Sequence, residues 1–133
     1  SVWEVRLARL RDSGPDLDAE CAQPLGPRWQ GAPALAPVRG MLERTRPAGW
    51  QGFAAAIATA DFYQTTATLK LPTLVLAGSD DRKTPPDLQR ELADLVAGAQ
   101  FHLLRGGSHL SMLTHAEAFA ETLRGFLTRI GNF

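Results

Sequence analysis

Up to about residue 70 the apolar positions follow only a helical period, whereas beyond Leu71 short apolar runs alternate with amphipathic stretches. Trp3, Leu7 and Leu10 recur at helical spacing and Gly14-Pro15 supplies a stop, which predicts a first helix. Residues 23–37 hold Pro24, Pro27, Pro33 and Pro37 together with Gly26 and Gly31. That density of breakers predicts a loop with short helical turns. A second helix is expected over residues 38–46. A third starts at Pro47, where proline suits a first helical turn, and runs to about Ala60.

The second texture has sharper punctuation. Pro72-Thr73-Leu74-Val75-Leu76-Ala77-Gly78 reads as a buried parallel strand ending in glycine, and Phe101-His102-Leu103-Leu104 reads as another. Between them, Thr84, Pro85 and Asp87 have the spacing of a capped helix start, with Leu88, Leu92, Leu95 and Val96 on one face and Gly98 at the end. Thr114 and Glu117 form a second capping box, leading into Phe119, Leu123, Phe126, Leu127 and Ile130 on one side of a terminal helix. Strand, helix, strand, helix predicts an α/β fold with parallel strands joined by right-handed crossovers. Two strands alone make a poor sheet, so further strands are expected from elsewhere.

Composition narrows the partners. Over 133 residues, 44% are hydrophobic, enough for a real core. Lysine plus arginine and aspartate plus glutamate each number 14, so no charge excess draws nucleic acid or an anionic membrane. Cys21 is the single cysteine, so no internal disulfide forms, and no apolar run reaches spanning length. Cytoplasm is the expected compartment.

Asp81 and His109 each follow a predicted strand, on the edge where open α/β sheets gather functional groups. An aspartate there accepts the Nδ1 hydrogen of the imidazole, fixes its tautomer and leaves Nε2 for a nucleophile. Asp80 is the adjacent competitor for the acid. Ser108 adjoins the histidine and is a poor nucleophile candidate. Ser1, as an N-terminal serine with its own amine as base, is a remote alternative. His102 within a strand and His115 beside a helix cap are expected to pack or meet solvent, and the three histidines lack metal-site spacing, so no metal is expected. Trp50, Phe53, Phe62 and Tyr63 are candidate pocket walls, and Arg6, Arg9 and Arg11 a solvated helix face from which one arginine would meet an acidic substrate.

The segments from Pro72 to Pro85 and from Gly106 to Ser111, with the helix from Ala116 to Leu127, resemble the C-terminal end of α/β-hydrolase-fold enzymes, nearest the 3-oxoadipate enol-lactonase group and related haloperoxidase-like esterases. Residues from Trp3 to Arg11 and from Thr45 to Asp61 are similar to the helical cap of those enzymes. Trp50 occupies a position that resembles a tyrosine of the family.

The resemblance implies a helical cap over residues 1–68 and the C-terminal part of the hydrolase core over 69–133. It implies a hydrolase of an ester or lactone, most concretely an enol-lactone bearing a carboxylate, with Asp81 and His109 as two members of a triad. Haloperoxidase-like esterase, carbon–carbon hydrolase and non-catalytic binding module are the alternatives. The family's earlier strands, oxyanion-hole loop and Gly-x-Ser-x-Gly elbow have no counterpart in this sequence. An N-terminal half carrying the nucleophile serine is therefore the expected partner, with no metal or organic cofactor.

Overall fold

The computed structural model describes residues 2–29, 32–33 and 35–131. Helices α1 (Val2–Ser13), α2 (Leu17–Leu25), α3 (Leu35–Glu43), α4 (Pro47–Thr59) and α5 (Tyr63–Ala67) come first. They are followed by β1 (Leu74–Gly78), α6 (Pro86–Leu95), β2 (Gln100–Leu104), α7 (Ser111–Thr114) and α8 (Ala116–Arg129).

Helix α1 lies against α4. Leu10, Trp50 and Ala54 form the buried centre of their contact, with Trp3, Leu7, Leu17 and Leu42 packed around it. Burial of such side chains contributes about 1.5–3 kcal/mol each, which is what holds short helices together. The Trp50 indole N–H is buried without a hydrogen-bond partner among the described residues, a cost this apolar cluster has to offset.

Helix α2 departs from the loop expected around Pro24. Asp16 caps it, accepting a hydrogen bond from the Ala19 amide at 3.1 Å, and Pro24 falls in the last turn, where it forfeits one intrahelical bond and no more. Arg39 of α3 then bridges Asp18 at 2.5 Å and Glu43 at 2.9 Å, tying α2 to α3. Helix α3 begins at Leu35, earlier than expected, because Pro37 sits in its first turn, where no amide donor is required.

Strands β1 and β2 pair in parallel, in register from Leu74 opposite Gln100 to Gly78 opposite Leu104. Val75, Ala77 and Leu104 are buried, and α6, which packs against β1, buries Ala93; Val96, just after its end, is buried too. Leu88 and Leu92, read as the core face of α6, are instead 53% and 41% exposed. Among the described residues the sheet has these two strands, each with one unpaired edge. Among the described residues no helix is long and apolar enough to cross a membrane.

Candidate active site

The loops leaving β1 and β2 meet because two glycines let their backbones touch. A Cβ on Gly78 would stand 2.3 Å from the Gly107 carbonyl oxygen and 2.6 Å from that of Ser108. No larger residue fits there. The contact is stitched on both sides: the Ser79 amide donates to Leu104 O (2.9 Å), the Asp80 amide to Gly107 O (2.8 Å) and the Gly106 amide to Ser79 Oγ (2.8 Å). Gly106 itself turns the second loop with φ +73°.

This junction sets Asp81 against His109. His109 Nδ1 lies 2.9 Å from Asp81 Oδ2, with the Asp81 side chain 4% exposed and that of His109 29% exposed. Asp80 is exposed and accepts from Ser79 Oγ, so Asp81 is the acid that reaches the imidazole. Asp81 Oδ1 accepts the amides of Lys83 (2.8 Å) and Thr84 (3.0 Å), and Oδ2 also accepts the Thr84 hydroxyl (2.9 Å).

Burial alone would raise this carboxyl, but the hydrogen bonds from the Thr84 amide, His109, the Lys83 amide and the Thr84 hydroxyl outweigh it and hold Asp81 below its ordinary value. Asp81 is therefore an anion that only accepts. The proton between it and His109 belongs on Nδ1, and the lone pair of the neutral imidazole is on Nε2. Among the described residues nothing pairs with Nε2.

Thr84 has a different part from the one its position suggested. It is not the cap of α6, whose N-terminal flank is Pro85 without a side-chain cap bond. Its hydroxyl sits 3.1 Å from His109 Nδ1 and accepts from Gln89 Nε2 at 2.9 Å. The signal was present in the spacing: a hydroxyl three residues after an aspartate closes a side-chain turn as readily as it caps a helix. Thr114, likewise read as a cap, instead bonds Ser108 Oγ at 3.1 Å and His115 Nδ1 at 3.0 Å, and Ser108 is buried.

His109 opens on a cavity of about 390 Å³. Pro24, Val38, Leu42, Trp50, Phe53 and Leu110 give it mostly apolar walls, and Arg6, Glu20 and Lys83 its charges. Trp50 and Phe53 thus share a cavity with the imidazole. Phe62 does not: it is 68% exposed and lines a separate groove with Tyr63, Leu88 and Leu92. A second depression of about 410 Å³ reaches Asp81 from the side of Arg28, Trp29 and Arg82, but His109 is not among its walls. Among the described residues no group of three or more histidine, cysteine or acidic side chains could hold a metal ion. Ser1 lies outside the described residues.

A parallel β-α-β unit with an acid after one strand and a histidine after the next belongs to a familiar class. Residues 2–122 match the model described as the alpha/beta hydrolase family, and the chain belongs to that family. Among solved structures it is similar to the enol-lactonase from Burkholderia xenovorans LB400, with 31% identity and a TM-score of 0.87 over 96% of this chain and 50% of that one.

The bromoperoxidase from Bacillus anthracis shares the fold at 20% identity, with a TM-score of 0.81 over 95% of this chain and 48% of that one. Over 69 residues, 52% of this chain and 24% of the relative, it is 35% identical to the 2-hydroxy-6-oxononadienedioate/2-hydroxy-6-oxononatrienedioate hydrolase of Escherichia coli. The chain spans about half the length of the solved structures it matches and a quarter of that curated relative. The similarity to the enol-lactonase therefore extends over half of that molecule, and the bromoperoxidase shares the fold.

Proposed function

We propose that this chain is the cap and C-terminal core of a hydrolase acting on an ester or lactone, in the manner of an enol-lactonase. The observation that carries this reading is the Asp81–His109 hydrogen bond at 2.9 Å, with Nε2 unpartnered beside an apolar cavity. Residues 1–68 act as the lid and 69–133 as the catalytic core. A serine and the oxyanion donors come from an N-terminal half, a source supported by the half-length coverage of the solved relatives.

In this reading His109 Nε2 takes the proton of that serine as its oxygen attacks the carbonyl. Asp81 holds the ring in the productive tautomer and stabilises the imidazolium. His109 then returns the proton to the leaving oxygen, and later activates the water that frees the acyl group. Trp50 and Phe53 line the acyl cavity. No step calls on a metal or organic cofactor. Phe62, on its separate groove, belongs to a surface that the N-terminal half covers. A cytoplasmic setting accords with Cys21 as a free, buried thiol.

The test is turnover of para-nitrophenyl and lactone esters by the complete protein. His109→Ala lowers kcat by about 10⁴-fold or more while the protein stays folded; unchanged turnover would reject the assignment. Hydrolysis of a carbon–carbon bond is the second reading, and the 35% identity to the Escherichia coli hydrolase suggests an unsaturated 2-hydroxy-6-oxo-dioate as its test substrate. It is distinguished by cleavage of such a dioate without cleavage of esters.

A further inference from the structure

The Thr84 hydroxyl touches three polar groups at once. Its oxygen lies 2.9 Å from Asp81 Oδ2, 3.1 Å from His109 Nδ1 and 2.9 Å from Gln89 Nε2. With the 2.9 Å between Nδ1 and Oδ2, hydroxyl, carboxylate and imidazole close a triangle. Gln89 enters it from outside, half-buried on α6, and neither it nor Thr84 is a wall of the cavity beside His109.

A hydroxyl has one hydrogen and two lone pairs, so the three contacts fix its orientation. Asp81 is an anion, and the short approach of Oδ2 to the Thr84 oxygen requires a hydrogen between them, which Thr84 supplies. One lone pair then accepts from the Gln89 amide, and the other faces the Nδ1 hydrogen. A Gln89 amide turned end for end would present its oxygen and draw the Thr84 hydrogen away, leaving two oxygens in contact with no hydrogen between them. The Gln89 N–H closes that direction, and by donating into the hydroxyl it polarises it toward Asp81.

We propose that Gln89 is a positioning residue for the reaction: by fixing the Thr84 hydroxyl it gives the Nδ1 hydrogen a second acceptor, so that the imidazole is held at two points and its Nε2 lone pair is aimed at the nucleophile. The inference rests on the hydrolase reading and extends it from the acid–histidine pair to α6. A single hydrogen bond leaves the ring free to pivot about the line from Nδ1 to Oδ2. A second acceptor 3.1 Å away and off that line removes the freedom.

The complete enzyme is assayed on para-nitrophenyl esters. Gln89→Met keeps the length of the side chain and removes the donor, and Thr84→Val keeps the shape and removes the hydroxyl. Turnover falls about 3- to 10-fold in Gln89→Met and about 5- to 15-fold in Thr84→Val, in kcat with KM within about twofold. The double variant stays within about twofold of Thr84→Val, because Gln89 works only through the hydroxyl. Thr84→Ser restores most of the loss. An unaltered kcat in Gln89→Met, losses that multiply in the double variant, or losses carried by KM would overturn the proposal.

Nitrogen NMR of the His109 ring, read through its carbon-bound hydrogens and identified by its absence from His109→Ala, tests the same contact without turnover. Loss of the hydroxyl leaves the Nδ1 hydrogen to Asp81, so the Nδ1 resonance moves downfield in Thr84→Val and, by less, in Gln89→Met. A pair that had merely loosened would move it upfield. If the resonance shifts downfield and wild type hydrolyses no ester, the linkage from Gln89 through Thr84 to His109 stands and the hydrolase reading fails. If wild type hydrolyses esters while both variants leave the resonance in place, the hydrolase reading stands and the linkage fails.

Discussion

Asp81 is a buried anion kept ionised by four hydrogen-bond donors, and that makes it a source of stability as well as of orientation. A carboxyl held below its unfolded value binds fewer protons in the folded state, so its contribution is complete above the ordinary carboxylate range. It is lost as pH falls through the lowered folded value. Asp81→Asn in the complete protein is accordingly expected to cost about 1.5–3 kcal/mol at neutral pH, the usual worth of hydrogen bonds to a charged group. The deficit relative to wild type shrinks on acidification through and below that range. Urea unfolding at a series of pH values measures it, and a deficit that stays constant down to strong acid would show that the charge of Asp81 is not what its neighbours stabilise.

The two strand-end loops act as one unit because Gly78 and Gly107 touch. In Gly78→Ala the new Cβ stands 2.3 Å from the Gly107 oxygen and 2.5 Å from its carbonyl carbon, both backbone atoms with no rotamer to give way. The loop bearing His109 has to retreat, lengthening the bond to Asp81. The expectation is a loss of about 1–3 kcal/mol of stability and of most turnover. Gly98→Ala serves as the control: it has φ +78° and nothing within 4 Å, so it strains the backbone by about 1–2 kcal/mol and leaves kcat unchanged. Thermal unfolding and esterase assays of both variants separate the two effects.

The same loops explain what could be read from sequence. Strands β1 and β2, and with them Asp81 and His109, were legible because each apolar run stops at a short turn segment before its polar residue. Helix α2 was hidden because Pro24 reads as a breaker unless one knows that it lies in the last turn. The role of Thr84 was hidden because capping uses the same residue types as a side-chain turn, and only the folded loop shows which bonds are made.

Taken whole, the described residues leave apolar side chains and strand edges uncovered. Leu71, Leu88 and Leu103 are 71%, 53% and 41% exposed around a sheet of two strands, each with an unpaired edge. Exposed apolar area of this kind, beside backbone donors and acceptors with no strand to meet them, favours association. Our reading assigns the cover to the N-terminal half that also brings the nucleophile, so folding and catalysis should be completed by one event. Mixing this chain with a separately produced N-terminal half is expected to restore ester turnover from none. It should also slow hydrogen exchange at the β1 amides that face away from β2. The two readouts are coupled by geometry: a serine delivered to His109 Nε2 without a strand docking beside β1 would have to arrive from the cap side, over the cavity. Turnover that returns with β1 exchange unchanged would therefore place the companion on the other face and overturn the sheet-completion account, whereas protection without turnover would leave the fold completed and remove the serine from it.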